Sequence, residues 1–109
     1  NNLLDSINVM IKNSKFNSND NNIEASLNLM YGDFYLRQND IEMSIEKYNN
    51  AINLFDIYDR TVYVKLKLCM IFNDLSRLDE MNSIYSTIEV DKISDFQLKS
   101  MYEQMFNKN

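Results

Sequence analysis

Proline is absent from this chain of 109 residues, and glycine occurs once, at position 32. Sheets with tight turns draw on glycine for positive backbone φ angles and on proline for fixed bends. A chain with almost none of either has little means of lacing strands together, so the expected fold class is all-α. At 45% apolar residues the chain holds enough material for one ordinary domain, which buries roughly two thirds of its unfolded surface.

Composition also narrows the chemistry. There is no histidine or tryptophan and only one cysteine. Histidine acid–base catalysis, histidine or cysteine metal sites and disulfides therefore lose their usual residues. Sixteen acidic against eleven basic residues give a net charge of −5, and the basic residues are scattered singly. Such a chain repels phosphate backbones, so no nucleic-acid partner is expected. The longest apolar stretch, residues 62–72, carries Lys65 and Lys67 and falls short of the roughly 20 residues of a bilayer span, so no membrane insertion is expected. With no signal-peptide pattern, a lone thiol and no Asn-x-Ser/Thr site, the expected setting is cytoplasmic or nuclear. The expectation is a non-enzymatic chain with no catalytic residue, cofactor or metal. Carboxylate pairs such as Asp56 with Asp59, or Asp79 with Glu80, have no third ligand beside them.

Asn17-Ser18-Asn19-Asp20-Asn21-Asn22 divides the chain. So polar a tract reads as a loop or linker over residues 17–22. It lacks the glycine and closing glutamate of an EF-hand calcium loop. Before it, Leu3, Leu4, Ile7, Met10 and Ile11 recur at helical spacing and predict an N-terminal helix within residues 1–16. After it, Leu27, Met30, Tyr31, Phe34 and Tyr35 predict a helix over 23–37. Ile41, Ile45, Tyr48, Ile52 and Phe55 step by four and three along a second. The polar break Gln38-Asn39-Asp40 between them makes an antiparallel hairpin, with Asn39 or Asp40 as the cap.

A glycine inside the first of these helices costs about 1 kcal/mol against alanine, which points to a close backbone approach. Gly32, Tyr35, Ser44, Tyr48 and Ala51 follow the spacing Gly-x2-Tyr-x8-small-x3-aromatic-x2-Ala. That series resembles the tetratricopeptide repeat, in which small residues let two helices touch and aromatics fill the space between hairpins. The resemblance implies repeats over about 25–58 and 59–92 and a partial one over 93–109, stacked as a short α-solenoid of about six helices. In the second repeat Asn73-Asp74-Leu75 falls 34 residues after Asn39-Asp40-Ile41, flanked by helices predicted over 60–72 and 76–89, with Asp59 and Ser76 as N-caps. Leu66, Leu78 and Tyr85 replace the small residues, and Cys69 takes the place of Tyr35 as a buried structural thiol. Ser94-x-x-Gln97 opens a last helix over 94–106 carrying Phe96, Met101, Tyr102, Met105 and Phe106. Gly32-Asp33-Phe34-Tyr35-Leu36 with Asn39-Asp40 also resembles the helical-repeat region of proteasome-lid and COP9 signalosome scaffold subunits.

The repeat resemblance implies a groove lined by the first helix of each hairpin. Carried onto this chain, its positions are Ser26, Leu29, Asp33, Leu36 and Arg37, then Arg60, Tyr63, Lys67, Met70 and Ile71, then Ser94, Gln97, Met101, Gln104 and Met105. Leu29, Asp33, Arg37, Arg60, Tyr63, Lys67 and Met70 are the candidate partner-binding residues, with the arginines and Lys67 meeting acidic groups of a protein or peptide. The type of this fold that grips carboxylate termini needs basic and Asn residues where Leu29 and Asp33 stand. The alternative is a structural segment of a larger scaffold, and the apolar C-terminal helix then associates with the parent protein or a second copy.

Overall fold

The computed structural model describes residues 21–105 together with Asp5 and Val9, and the chain divides into two compact units, residues 1–56 and 57–109. The predicted N-terminal helix lies outside the described residues save for Asp5 and Val9, both helical. Among the described residues the fold is all-helical, with five α-helices, one 3-10 turn and no strand.

The first unit is built on a hairpin of α1 (Asn21–Arg37) and α2 (Ile41–Leu54). Asn39 takes a left-handed φ of 61°, and the Asp40 amide donates back to the Tyr35 carbonyl at 2.9 Å, which satisfies orphan carbonyls and reverses the chain. Asp40 then caps α2, its Oδ1 accepting from the Met43 amide at 3.4 Å. The helices meet where the sequence is smallest. A β-carbon on Gly32 would lie 2.5 Å from Tyr48 Cδ1, and Tyr48, Ser44 and Ala51 are all fully buried. The Asn22 carboxamide closes the far end, accepting from the Asp56 amide at 3.0 Å and donating to its carboxylate at 2.6 Å.

The second unit pairs α3 (Tyr58–Asp74) with the short α4 (Leu78–Tyr85), and α5 (Phe96–Met105) follows the 3-10 turn Val90–Lys92. Val62, Leu66, Ile88, Ile93 and Leu98 form its core, flanked by Tyr58, Tyr85, Val90, Tyr102 and Met105. Tyr85 and Tyr102 stack with centroids 4.6 Å apart, and the Tyr85 hydroxyl donates to the Tyr102 carbonyl at 3.2 Å.

The two hairpins use the same turn in a register the sequence spacing did not give. Ser76 has φ 58° and the Arg77 amide donates to the Phe72 carbonyl at 2.8 Å, matching Asn39 and Asp40 at an offset of 37 residues. The expected 34-residue recurrence put the break at Asn73-Asp74-Leu75, but Asn73 and Asp74 complete α3 instead. In the observed register Cys69 stands where Gly32 stood, and Met81 and Tyr85 where Ser44 and Tyr48 stood. The Cys69 thiol meets the Met81 carbonyl at 3.7 Å, so the larger thiol is accommodated at the shorter helix α4.

Three expected caps are also corrected. Ser76 is the left-handed residue, so α4 starts after Arg77, which has no side-chain cap bond; instead Arg77 pairs with Glu80 through two 2.6 Å bonds. Asp59 does not cap α3, which follows Ile57. Its carboxylate reaches 35 residues ahead and accepts from the Ser94 and Asp95 amides at 2.9 and 3.0 Å. α5 is capped by Asp95, whose Oδ1 accepts from the Leu98 amide at 2.9 Å, and not by Ser94. Asp59, 37 residues after Asn22, thus makes a similar clamp, on amides 35 and 36 residues ahead where Asn22 holds one 34 ahead.

Candidate binding groove

Arg60, Tyr63, Lys67, Met70 and Asp74 step by three and four along α3, so the winding of one helix aligns them in a single stripe. Arg60, Tyr63, Met70 and Asp74 are exposed, Met70 by 53%, and Lys67 is half-buried. The Lys67 ammonium lies 5.3 Å from the Tyr63 ring centroid, a cation–π arrangement that holds both side chains along the stripe. At its C-terminal end the stripe opens onto a shallow cavity of about 380 Å3 lined by Met70, Asn73 and Asp74 of α3 and by Met101, Gln104 and Met105 of α5.

Of the seven candidate residues, four therefore share this stripe and three lie on α1 in the other unit. Leu29 is half-buried, and Arg37, the last residue of α1, is exposed at the negative end of that helix. Asp33 accepts a 2.5 Å hydrogen bond from the Tyr48 hydroxyl, which commits its carboxylate to its own hairpin. Among the other groove positions, Met101, Gln104 and Met105 line the cavity, while Ile71, at 8% exposure, belongs to the core. Asn73 and Asp74 escaped the sequence reading because the 34-residue register placed them in a turn. The continuation of the stripe through positions 67, 70 and 74 is the signal that finds them.

The one thiol of the second unit lies in its interior, with the half-buried Lys65 nearby. Cys69 is fully buried, and burial pushes its thiol up to about 11, the nearby Lys65 ammonium pulling the other way. Lys65 donates to Thr87 Oγ1 at 2.9 Å, and desolvation lowers its pKa against the opposing pull of Glu89. A thiol so raised is a poor nucleophile. Among the described residues no three His, Cys, Asp or Glu side chains gather as metal ligands, and no helix is long and apolar enough to cross a membrane.

Comparison with family models, with curated proteins and with solved structures finds no match to this chain.

Proposed function

We propose that this chain is a non-enzymatic protein-interaction module of the tetratricopeptide-like kind, and that a segment of a partner protein lies along the α3 stripe and into the cavity between α3 and α5. The observation that carries this reading is the methionine floor: exposed Met70 and Met101 line one open cavity together with Met105, whose other side packs on the core. Methionine is flexible and polarizable, and recurs where a surface must adapt to another chain. The buried single thiol suits a reducing, cytoplasmic setting.

The test compares proteins captured from cell extract by the wild-type chain and by a Met70→Glu, Met101→Glu variant. Both positions are exposed, so the variant should keep its thermal unfolding profile. Loss of specific partners from the variant supports the groove; unchanged capture removes it.

A second reading is favoured by α5. Phe96 is 80% exposed and Met101 43%, so this helix presents apolar surface at its start as well as in the cavity. As a segment of a larger scaffold, similar to those of the proteasome lid or COP9 signalosome, the chain would cover that surface with neighbouring helices or with a second copy.

A further inference from the structure

The charges along α3 define the ligand more closely than the groove alone, and this step rests on the groove reading above. Arg60 stands in the first turn of α3 and Asp74 is its last residue. A helix already presents partial positive charge at its N-terminus and partial negative charge at its C-terminus, so the stabilising placement is the reverse. Each of these residues adds to the field at its own end. Among the described residues no ion pair involves either of them. Asp59, the acid beside Arg60, turns its carboxylate to the Ser94 and Asp95 amides and forms no ion pair with the guanidinium. The stripe therefore runs from the cation Arg60, past Tyr63 and the half-buried Lys67, to the negative end at Asp74, with the methionine cavity beside the negative end.

The cavity also selects the backbone of its occupant. Asn73 and Gln104 line it with the methionines, and a side-chain carboxamide offers both donor and acceptor. An extended peptide has unpaired backbone groups to meet them, whereas a helix has already satisfied its own. Arg60 and Asp74 are separated by fourteen helical steps, roughly 21 Å, which an extended chain spans in about six residues. Met70 lies four steps before Asp74, about 6 Å, or two extended residues.

We propose that the α3 groove recognises an extended segment of a partner protein with an acidic residue at Arg60, a large apolar side chain in the cavity at Met70, and a Lys or Arg about two residues further on at Asp74. Charge complementarity at both ends fixes the order of the three groups, and the apolar side chain supplies the buried contact between them.

The probe is a displayed library of randomised peptides about twice the six-residue span, selected on the wild-type chain and on Asp74→Lys. The exposed Asp74 sits where a cation is favoured, so this variant should fold at least as well as the wild type. Wild-type selection should enrich peptides in which the apolar residue stands between an acidic and a basic one, about two residues from the basic one, in either chain direction. A synthetic peptide of the enriched pattern should bind Asp74→Lys and Met70→Glu about tenfold or more weakly, and selection on Asp74→Lys should exchange the basic residue for an acidic one. Enriched peptides that lose binding to Met70→Glu but carry no basic residue, or ignore Asp74→Lys, overturn the proposed polarity and leave the groove reading standing. Enrichment of peptides indifferent to Met70→Glu, or no enrichment at all, overturns both.

Discussion

Gly32 presents its bare α-carbon to the ring of Tyr48, whose hydroxyl bonds Asp33, the next residue along α1. The glycine is therefore a packing residue, as its φ is not positive. A methyl group there would press on a fully buried ring with no free side to move into. Gly32→Ala is expected to destabilise the chain by about 1–3 kcal/mol even though alanine is the better helix former. Denaturant unfolding checks it, and the cost should shrink in a Tyr48→Leu background, where the ring is gone.

The two left-handed residues predict unequal margins for glycine. Asn tolerates φ near 60° through local hydrogen bonding, whereas Ser carries more of the steric cost. Ser76→Gly should therefore stabilise the chain by about 0.5–1 kcal/mol, and Asn39→Gly by less. Equal effects in thermal unfolding would show that the turns are not strained differently.

Asp59 holds the segment entering α5 by two charge-assisted bonds to backbone amides. Asp59→Ala should cost on the order of 1–2 kcal/mol, softened by the exposure of Ser94 and Asp95 to water. Hydrogen exchange should accelerate at those two amides before it does in α3. Uniform acceleration through the unit would argue against a local clamp.

These elements separate what was legible in the sequence from what was not. Gly32, Tyr48 and Ala51 stood out because a glycine in a periodic helical stretch contradicts local propensity and so demands a contact. The turn register was hidden because its left-handed residue is Ser76, while the better turn formers Asn73 and Asp74 are helical. α4 was expected to run to residue 89 because its apolar period continues. It ends at Tyr85, where the Ser86 and Thr87 hydroxyls bond the Ser83 and Ile84 carbonyls and compete with the helical ladder. The role of Asp59 lies 35 residues away, beyond any local capping pattern. The cavity residues Met70, Met101 and Met105 were found through the repeat resemblance, and Asp74 was lost with the register.

Cys69 gives a prediction in pH. Burial moves the thiol from its ordinary 9.0 to about 11, so at pH 8 about one molecule in a thousand carries a thiolate in the folded state. Alkylation by iodoacetamide at pH 8 should be at least about a hundredfold slower in the native chain than in denaturant, since the sulfur is also closed to the reagent. The sign for stability follows from linkage: the unfolded chain ionises first, so the stabilisation of the protonated thiol is complete below pH 9 and lost as pH rises towards 11. Lys65, pulled down by burial, acts in the opposite sense, which makes labelling the cleaner readout.

Helix α5 separates the two functional readings. Leu98 is 7% exposed in the core of the second unit, while Phe96, two residues earlier, is 80% exposed. Leu98→Ala should cost about 2–4 kcal/mol, because the removed methyl groups leave a cavity among Val62, Leu66 and Ile93. Phe96→Ser should change the stability of an isolated copy by no more than about 0.5 kcal/mol, as expected for a surface position. If α5 is covered by a second copy, Phe96→Ser should also shift sedimentation equilibrium towards the monomer, by an amount set by the apolar area a phenyl ring withdraws from water. A wild-type chain that sediments as a monomer at high concentration, with Phe96→Ser indistinguishable from it, removes the scaffold reading in its self-associating form and leaves the groove between α3 and α5 as the surface to which a partner comes.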